Sequence, residues 1–435
     1  MFNLRALAAR IREKDPAIIG ISLLVALLWG MHAAGPSIPP GRGYLRFGLL
    51  FGVSFMCVIW RRSISRIPIS GATKSGAVIG LGCWFTGATL SAILNWQTDQ
   101  VLMTWFVVFF CGALIYAALS GIALTRLGLD VAVVGFIVGS MFPLVAGLQA
   151  FGTEFGPPEA STFIAAYTNR IRMAGYETAT FGNRGNTAAF LLILAPVLLA
   201  IILDRKKHWA FRGFSGLAMI PVVMNFLIVQ VRAGFLAFIA ALMVVWWFKL
   251  GARRIPLLAG ALVFGWVILV AVEPDAVWAM RERIVAAVTV DREGDTSVGE
   301  RVEAMQEGVQ IAKRNWLLGI GPGAGPTAHS HDSAHQLQIN QAMETGIFGF
   351  LGSSIFAAGI LICLLRTLAR GNADEVNEMR FLLLIGPASY VAYAVAVNAA
   401  LTNASVNTWA VLVCSMVALM PPFEQRRPHV LLSKP

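Results

Sequence analysis

Apolar runs of roughly twenty residues recur along the whole chain, each long enough to cross a hydrocarbon core of about 30 Å as an α-helix. In lipid every backbone N–H and C=O must find a partner within the structure, so only helices or closed barrels can span. Barrel strands read as short segments of alternating polarity, whereas these runs are continuously apolar. They cover approximately residues 16–34, 45–60, 76–94, 101–124, 128–150, 187–203, 216–231, 233–248, 255–272, 346–365, 381–401 and 406–420. Of the 435 residues, 57% are hydrophobic and 13% charged, and the mean hydropathy is +0.70. That apolar content exceeds the needs of a globular core. The expectation is an all-α polytopic membrane protein of about twelve transmembrane helices, forming one integral membrane domain over residues 1–435.

Orientation follows from Lys and Arg, because short basic loops stay in the cytoplasm. Arg5, Arg10, Arg12 and Lys14 precede the first span, Arg61, Arg62 and Arg66 follow the second, and Arg126 follows the fourth. Arg205, Lys206, Lys207 and Arg212, then Lys249, Arg253 and Arg254, then Arg366, Arg370 and Arg380, and finally Arg426 and Arg427 continue the pattern. With twelve crossings all of these share one face, so both termini are expected in the cytoplasm. Two longer polar segments then fall on the extracytoplasmic side: a first loop at 151–186 and a large loop at 273–345.

The formal charge of +11 belongs mostly to the cytoplasmic loops, where anionic lipid headgroups are the natural counterion. No nucleic-acid partner is expected, because the basic clusters are short connections between spans. Cys57, Cys83, Cys111, Cys363 and Cys414 all lie within expected spans, which gives no disulfide framework and no metal-type CxxC pair. The first apolar run follows a basic segment and is long enough to span, so it is expected to remain as the first helix, not to be a cleaved signal.

In the large loop, Ser297-Val298-Gly299-Glu300 reads as a capping box. Val302, Met305, Val309 and Ala312 then share one helical face, which predicts an amphipathic helix over about 299–313, lying against the membrane or the bundle. A glycine- and proline-rich turn follows from Trp316 to Pro326; it can present backbone N–H groups to an anion or be no more than a sharp turn. Three of the six histidines come next, His329, His331 and His335. With Asp332 they could ligate zinc, but the glutamate of a zinc-protease HExxH is missing. They could be ordinary interfacial histidines. One could be a general base, since imidazole titrates near neutral pH.

Arginines break the inside rule in the first loop, at Arg170, Arg172 and Arg184, and again at Arg232, in the outward hairpin Gln230-Val231-Arg232-Ala233-Gly234. A guanidinium at the membrane edge is costly unless it has a partner or snorkels to water; a functional partner is the favoured reading for Arg232. Several external arginines beside a histidine point to an anionic, phosphate-bearing ligand.

These residues also carry a family resemblance. His335-Gln336, followed by Glu344-Thr345-Gly346-Ile347-Phe348-Gly349 at the start of a membrane helix, resembles the histidine motif of the O-antigen ligase and polymerase superfamily. Phe181-Gly182-Asn183-Arg184-Gly185-Asn186 is similar to the start of a helix in that family. Arg232-Ala233-Gly234 is similar to its Ser-Arg-Gly hairpin, and Gly299-Glu300-Arg301 with Trp316 to Gly323 is similar to its large loop. Gln336 stands where Asn is usual, Val231 where Ser is usual, and Arg184 at a common Pro.

The resemblance implies a metal-independent, inverting GT-C-type glycosyltransferase without cofactor. It would move O-antigen polysaccharide from an undecaprenyl diphosphate donor to a sugar hydroxyl of lipid A–core, on the periplasmic face. His335 would be the base, and Arg232 and Arg301 would bind the diphosphate. Arg172, Arg184, Asn183, Asn186, His329 and His331 would line the substrate path. An O-antigen polymerase uses the same donor and is the alternative. A protein O-oligosaccharyltransferase is less favoured, since such relatives commonly carry an added soluble C-terminal part and the last span ends near Met420. A twelve-helix transporter would carry ionisable groups at mid-membrane depth, and the expected spans hold almost none.

Overall fold

The computed structural model describes residues 76–97, 99–105, most of 133–148, 184–229, 232–251, 260, 296–325, 336–371 and 375–397. Among them the regular structure is all α-helical. The elements are α1 (Gly76–Leu94), α2 (Asp99–Trp105), α3 (Arg184–Leu203), α4 (Trp209–Val229), α5 (Arg232–Leu250), α6 (Thr296–Arg314), α7 (Leu337–Arg370) and α8 (Glu375–Val397). A further apolar helical stretch covers Val133–Phe142. The expected spans at 16–34, 45–60, 255–272 and 406–420 lie outside the described residues, as does most of 101–124.

Burial explains the arrangement. From Ala188 to Leu194 every side chain of α3 is 0–2% exposed, as expected for a helix that is apolar all round and surrounded by others. It packs on α4, α5 and α8. Phe248 of α5 stacks on Phe381 of α8 with ring centroids 3.7 Å apart. Asn225 of α4, 1% exposed, donates to the Leu144 carbonyl at 3.1 Å and ties in the 133–148 stretch. Polar residues such as Ser91, Ser140, Asn225 and Gln341 face inward, while Ile79, Leu217, Leu236 and Leu351 face outward. This inverts the usual soluble pattern. By length and composition α7 is able to cross a bilayer.

The second packing unit is the antiparallel pair α1 and α7. Small residues let the backbones meet: a Cβ on Gly80 would strike the Phe356 backbone, and one on Gly352 would strike that of Trp84. Such close contact is how helices associate where no water drives them together. α8 joins this pair to α3, packing on both α7 and α3.

One end of the assembly is held by charge. Lys249, at the C-terminal end of α5 and 6% exposed in its side chain, lies 2.5 Å from Glu378 Oε1 and 3.4 Å from Asp204 Oδ2. Lys206 reaches Glu378 Oε2 at 3.2 Å. Burial pushes the Glu378 carboxyl up, but the hydrogen bond and charge of Lys249, then those of Lys206, bring it net below the ordinary carboxylate range. Asp204 closes α3, Lys249 closes α5 and Glu378 opens α8, so α3 and α5 run parallel to each other and antiparallel to α8. Asn377 donates to the carbonyls of Thr367 and Gly371, which puts the C-terminal end of α7 at this same end. The start of α7 and the first residues of α3 and α5 therefore lie at the opposite end.

Several boundaries differ from expectation. Helix α6 begins at Thr296, so Ser297 stands inside it and is not its cap. Its packed face is also not the one the periodicity selects. Val302 and Val309 are 47% and 36% exposed, whereas Ala304 is 0% exposed and Gly308 is buried. Small side chains allow that face to approach α7, against which α6 packs. Helices α4 and α7 begin well before the expected 216 and 346, at Trp209 and Leu337, because the turns around Arg212 and around Gln338, Asn340 and Gln341, too polar to count as span, are also helical.

Candidate functional site

The glycine-rich turn after α6 and the first part of α7 form one interlocked unit. Gly319, Gly321 and Gly323 all have positive φ, at 72°, 109° and 80°, so the turn curls in a way that L-residues with a Cβ resist. Curled like this, it runs alongside α7. Ile320 N donates to the Met343 carbonyl at 3.0 Å, Gly321 N to the Glu344 carbonyl at 3.0 Å, and Ile347 N to the Trp316 carbonyl at 2.8 Å. These bonds need free carbonyls on α7, and Gly346 supplies the break: its φ of 67° and ψ of −157° interrupt the helix between Thr345 and Ile347.

At the centre is Glu344, 3% exposed. Its Oε2 accepts the Gly323 N–H at 3.0 Å, and its Oε1 lies against Gly325. The turn thus presents an N–H to the protein's own Glu344 carboxyl, whose pKa is pushed up to about 8 by burial, against the lowering effect of the Gly323 and Gly325 backbone hydrogen bonds. Ser91 Oγ of α1 donates to the Glu344 carbonyl at 2.8 Å, Trp84 Nε1 donates to Gln341 Oε1 at 2.5 Å, and Thr345 Oγ1 donates to the Gln341 carbonyl at 2.8 Å. Asn340, Gln341, Glu344 and Thr345 are all buried. Buried polar groups bonded in this way fix geometry, because losing any one partner leaves another unsatisfied.

This unit anchors both ends of the histidine segment. Residue 325 is the last described before it and Gln336 the first after it, and each is a short step from Glu344 or Gln341. His329, His331, Asp332 and His335 themselves lie outside the described residues, as do Arg172 and Asn183. Arg184 and Arg232 are the first residues of α3 and α5, and Asn186 is in the first turn of α3. The parallel run of these helices brings all three positions to the end that carries Glu344. Arg301 lies in the first half of α6. Among the described residues no group of three or more His, Cys, Asp or Glu could hold a metal ion.

Sequence reading missed Trp84, Ser91 and Gln341 as parts of this region. Glu344 was visible only as a family mark. The two α1 residues gave no signal, because each is a single polar group in an apolar span.

Comparison with known proteins bears on the same region. No curated protein matches the chain. Residues 222–354 match the family model described as O-Antigen ligase, a segment that contains Arg232, Arg301, the three histidines and Glu344, and excludes Arg172, Asn183, Arg184 and Asn186. Across 222–354 the chain thus carries a domain of the O-antigen ligase family.

Proposed function

We propose that the protein is a membrane glycosyltransferase that moves O-antigen polysaccharide from undecaprenyl diphosphate to a sugar hydroxyl of lipid A–core, on the periplasmic face of the inner membrane. The observation that carries this reading is the common placement of the Glu344 unit, whose residues flank the histidine segment in sequence, with the first residues of α3 and α5, Arg184 and Arg232. Helix N-termini favour anions, and arginines add forked donors suited to phosphate. A diphosphate is the ligand such an end would hold.

In the proposed reaction His335 removes the acceptor hydroxyl proton while that oxygen attacks the anomeric carbon of the donor sugar. The bond from that carbon to the diphosphate oxygen breaks, and the electron pair leaves with the lipid diphosphate. A single in-line displacement inverts the anomeric configuration. Arg232 and Arg301 offset the charge developing on the leaving group, the role a divalent ion takes elsewhere.

Deleting the gene and analysing lipopolysaccharide tests the reading. Bare core, with polymer retained on the carrier lipid, is the expected result. Core bearing a single repeat unit would instead identify a polymerase, and unchanged lipopolysaccharide would remove both.

A further inference from the structure

The exposed tryptophans are sorted by level along α7. At the Glu344 end, Trp316 is 62% exposed, and its carbonyl accepts the N–H of Ile347, just past the break at Gly346. Trp96, 61% exposed, follows Asn95, which touches Gly321, and Gly321 is bonded to Glu344. Two elements distant in sequence thus bring exposed tryptophans to one turn of α7. At the other end Trp209 and Trp247 are 75% and 48% exposed, beside the cluster of Asp204, Lys206 and Lys249.

Between these levels the outward surface of α7 is wholly apolar. Phe348, Phe350, Leu351, Ile355, Ala358, Ile362 and Leu365 are its exposed residues from Gly346 to Leu365, and Arg366 is the first exposed charge beyond them. From Gly346 to Thr367 is about twenty residues, or about 30 Å of helix, the thickness of a hydrocarbon core. Tryptophan favours the boundary between hydrocarbon and water. Lys313 and Arg314, both exposed, stand just before Trp316 with the charge to meet phosphate headgroups. Ahead of them, Val302 and Val309 are the exposed apolar residues of α6.

We propose that Trp96, Trp316, Lys313 and Arg314 form a contact surface for phospholipid headgroups that sets the height of the start of α7 above the bilayer. The interface then crosses α7 at Gly346. The segment Leu337–Thr345 stands outside the hydrocarbon and carries Gln336 no more than about 15 Å beyond it, the zone where a lipid-borne phosphate lies. This inference does not depend on the reaction proposed above.

Nitroxide labels on single cysteines test it, in the full chain with the native cysteines replaced and reconstituted in phospholipid nanodiscs containing anionic lipid. Accessibility to oxygen, which concentrates in lipid, is compared with accessibility to a water-soluble nickel chelate. Glu303→Cys should report water and Leu351→Cys hydrocarbon, with Trp316→Cys between them. Leu317→Cys, on the same turn, repeats the measurement should Trp316→Cys fold poorly. Lys313→Glu with Arg314→Glu should shift the label at Leu317 toward water. A Trp316 or Leu317 label as wet as that at Glu303, as lipid-buried as that at Leu351, or shielded from both reagents by a protein partner would overturn the proposal.

Discussion

Gly323 and Glu344 are joined by one hydrogen bond of 3.0 Å from a backbone N–H to a carboxyl oxygen, across a turn that only glycine-rich sequence allows. The bond ties the turn that precedes the three histidines in sequence to the helix that follows them, and Glu344 can hold this link without touching substrate.

Replacing Glu344 by Ala leaves the buried N–H of Gly323 without its partner, a loss of about 1–3 kcal/mol. Glu344→Ala should lower the melting temperature and transfer rate together. Glu344→Gln retains one carbonyl acceptor and should keep most of the stability. Gly323→Ala places a Cβ against Thr104 at a φ of 80° and should impair transfer as well. Equal thermal stability of the wild type and Glu344→Ala, measured in detergent, would show that the bond does not hold the turn.

The opposite end gives a prediction in pH. Lys249 sits between Glu378 and Asp204 at 2.5 and 3.4 Å, and Lys249→Met would leave both carboxylates in a largely buried place without it. Removing one partner of a buried ion pair costs about 3–5 kcal/mol; the lower figure fits here, since Lys206 still reaches Glu378. Because the Glu378 carboxyl is lowered on folding, its contribution is complete above the ordinary carboxylate value. It is lost as pH falls through the lowered value, and stability should therefore drop on the acid side only. Thermal unfolding from neutral to acid pH should show that loss in wild type and a smaller one in Lys249→Met. Identical slopes would refute the assignment.

The span at 76–94 was legible to the residue, because α1 is predominantly apolar and bounded by polar residues. The packed face of α6 was not. Val302/Val309 and Ala304/Gly308 both satisfy helical spacing, and which of them packs depends on how closely α7 can approach. Periodicity carries no information about that distance. The bonds from Trp84 to Gln341 and from Ser91 to Glu344 join residues 257 and 253 positions apart, beyond any local pattern. The break at Gly346 falls at the expected start of the span at 346–365, but the helical turns from Leu337 to Thr345 that precede it were not expected. The arginine positions were readable from the inside rule alone, and their gathering at one end required the parallel run of α3 and α5.

Arg232 and Arg301 are expected to hold the diphosphate as forked donors. Lysine offers a point charge in place of a bidentate plane, so Arg232→Lys and Arg301→Lys should both remain badly impaired in transfer with purified donor and acceptor. Arg172→Lys and Arg184→Lys should be milder, since these residues are expected to line the substrate path and not to contact the reacting centre. Full activity in both of the first two variants would reduce them to general electrostatics.

Transfer should persist in EDTA, because arginine takes the place of a divalent ion at the leaving group. Activity lost on chelation and restored by zinc would instead assign His329, His331 and His335 as ligands.

His335 is the histidine nearest the anchored start of α7, one residue before Gln336. Gln341 and Glu344 hold that start through Trp84 and Gly323. A base must keep its distance to the acceptor hydroxyl within a hydrogen bond's reach, and of the three histidines His335 has the shortest chain to a fixed point. His329 and His331 lie further from it and are better suited to lining the cavity. A positioned base contributes about 10² to 10⁴ in rate, so His335→Ala should slow transfer by about that factor, with expression and donor binding largely kept. His329→Ala and His331→Ala should lose less. The decisive comparison is turnover by the three variants in detergent: near-normal transfer by His335→Ala, or a deeper loss at His331, would move the base to another histidine.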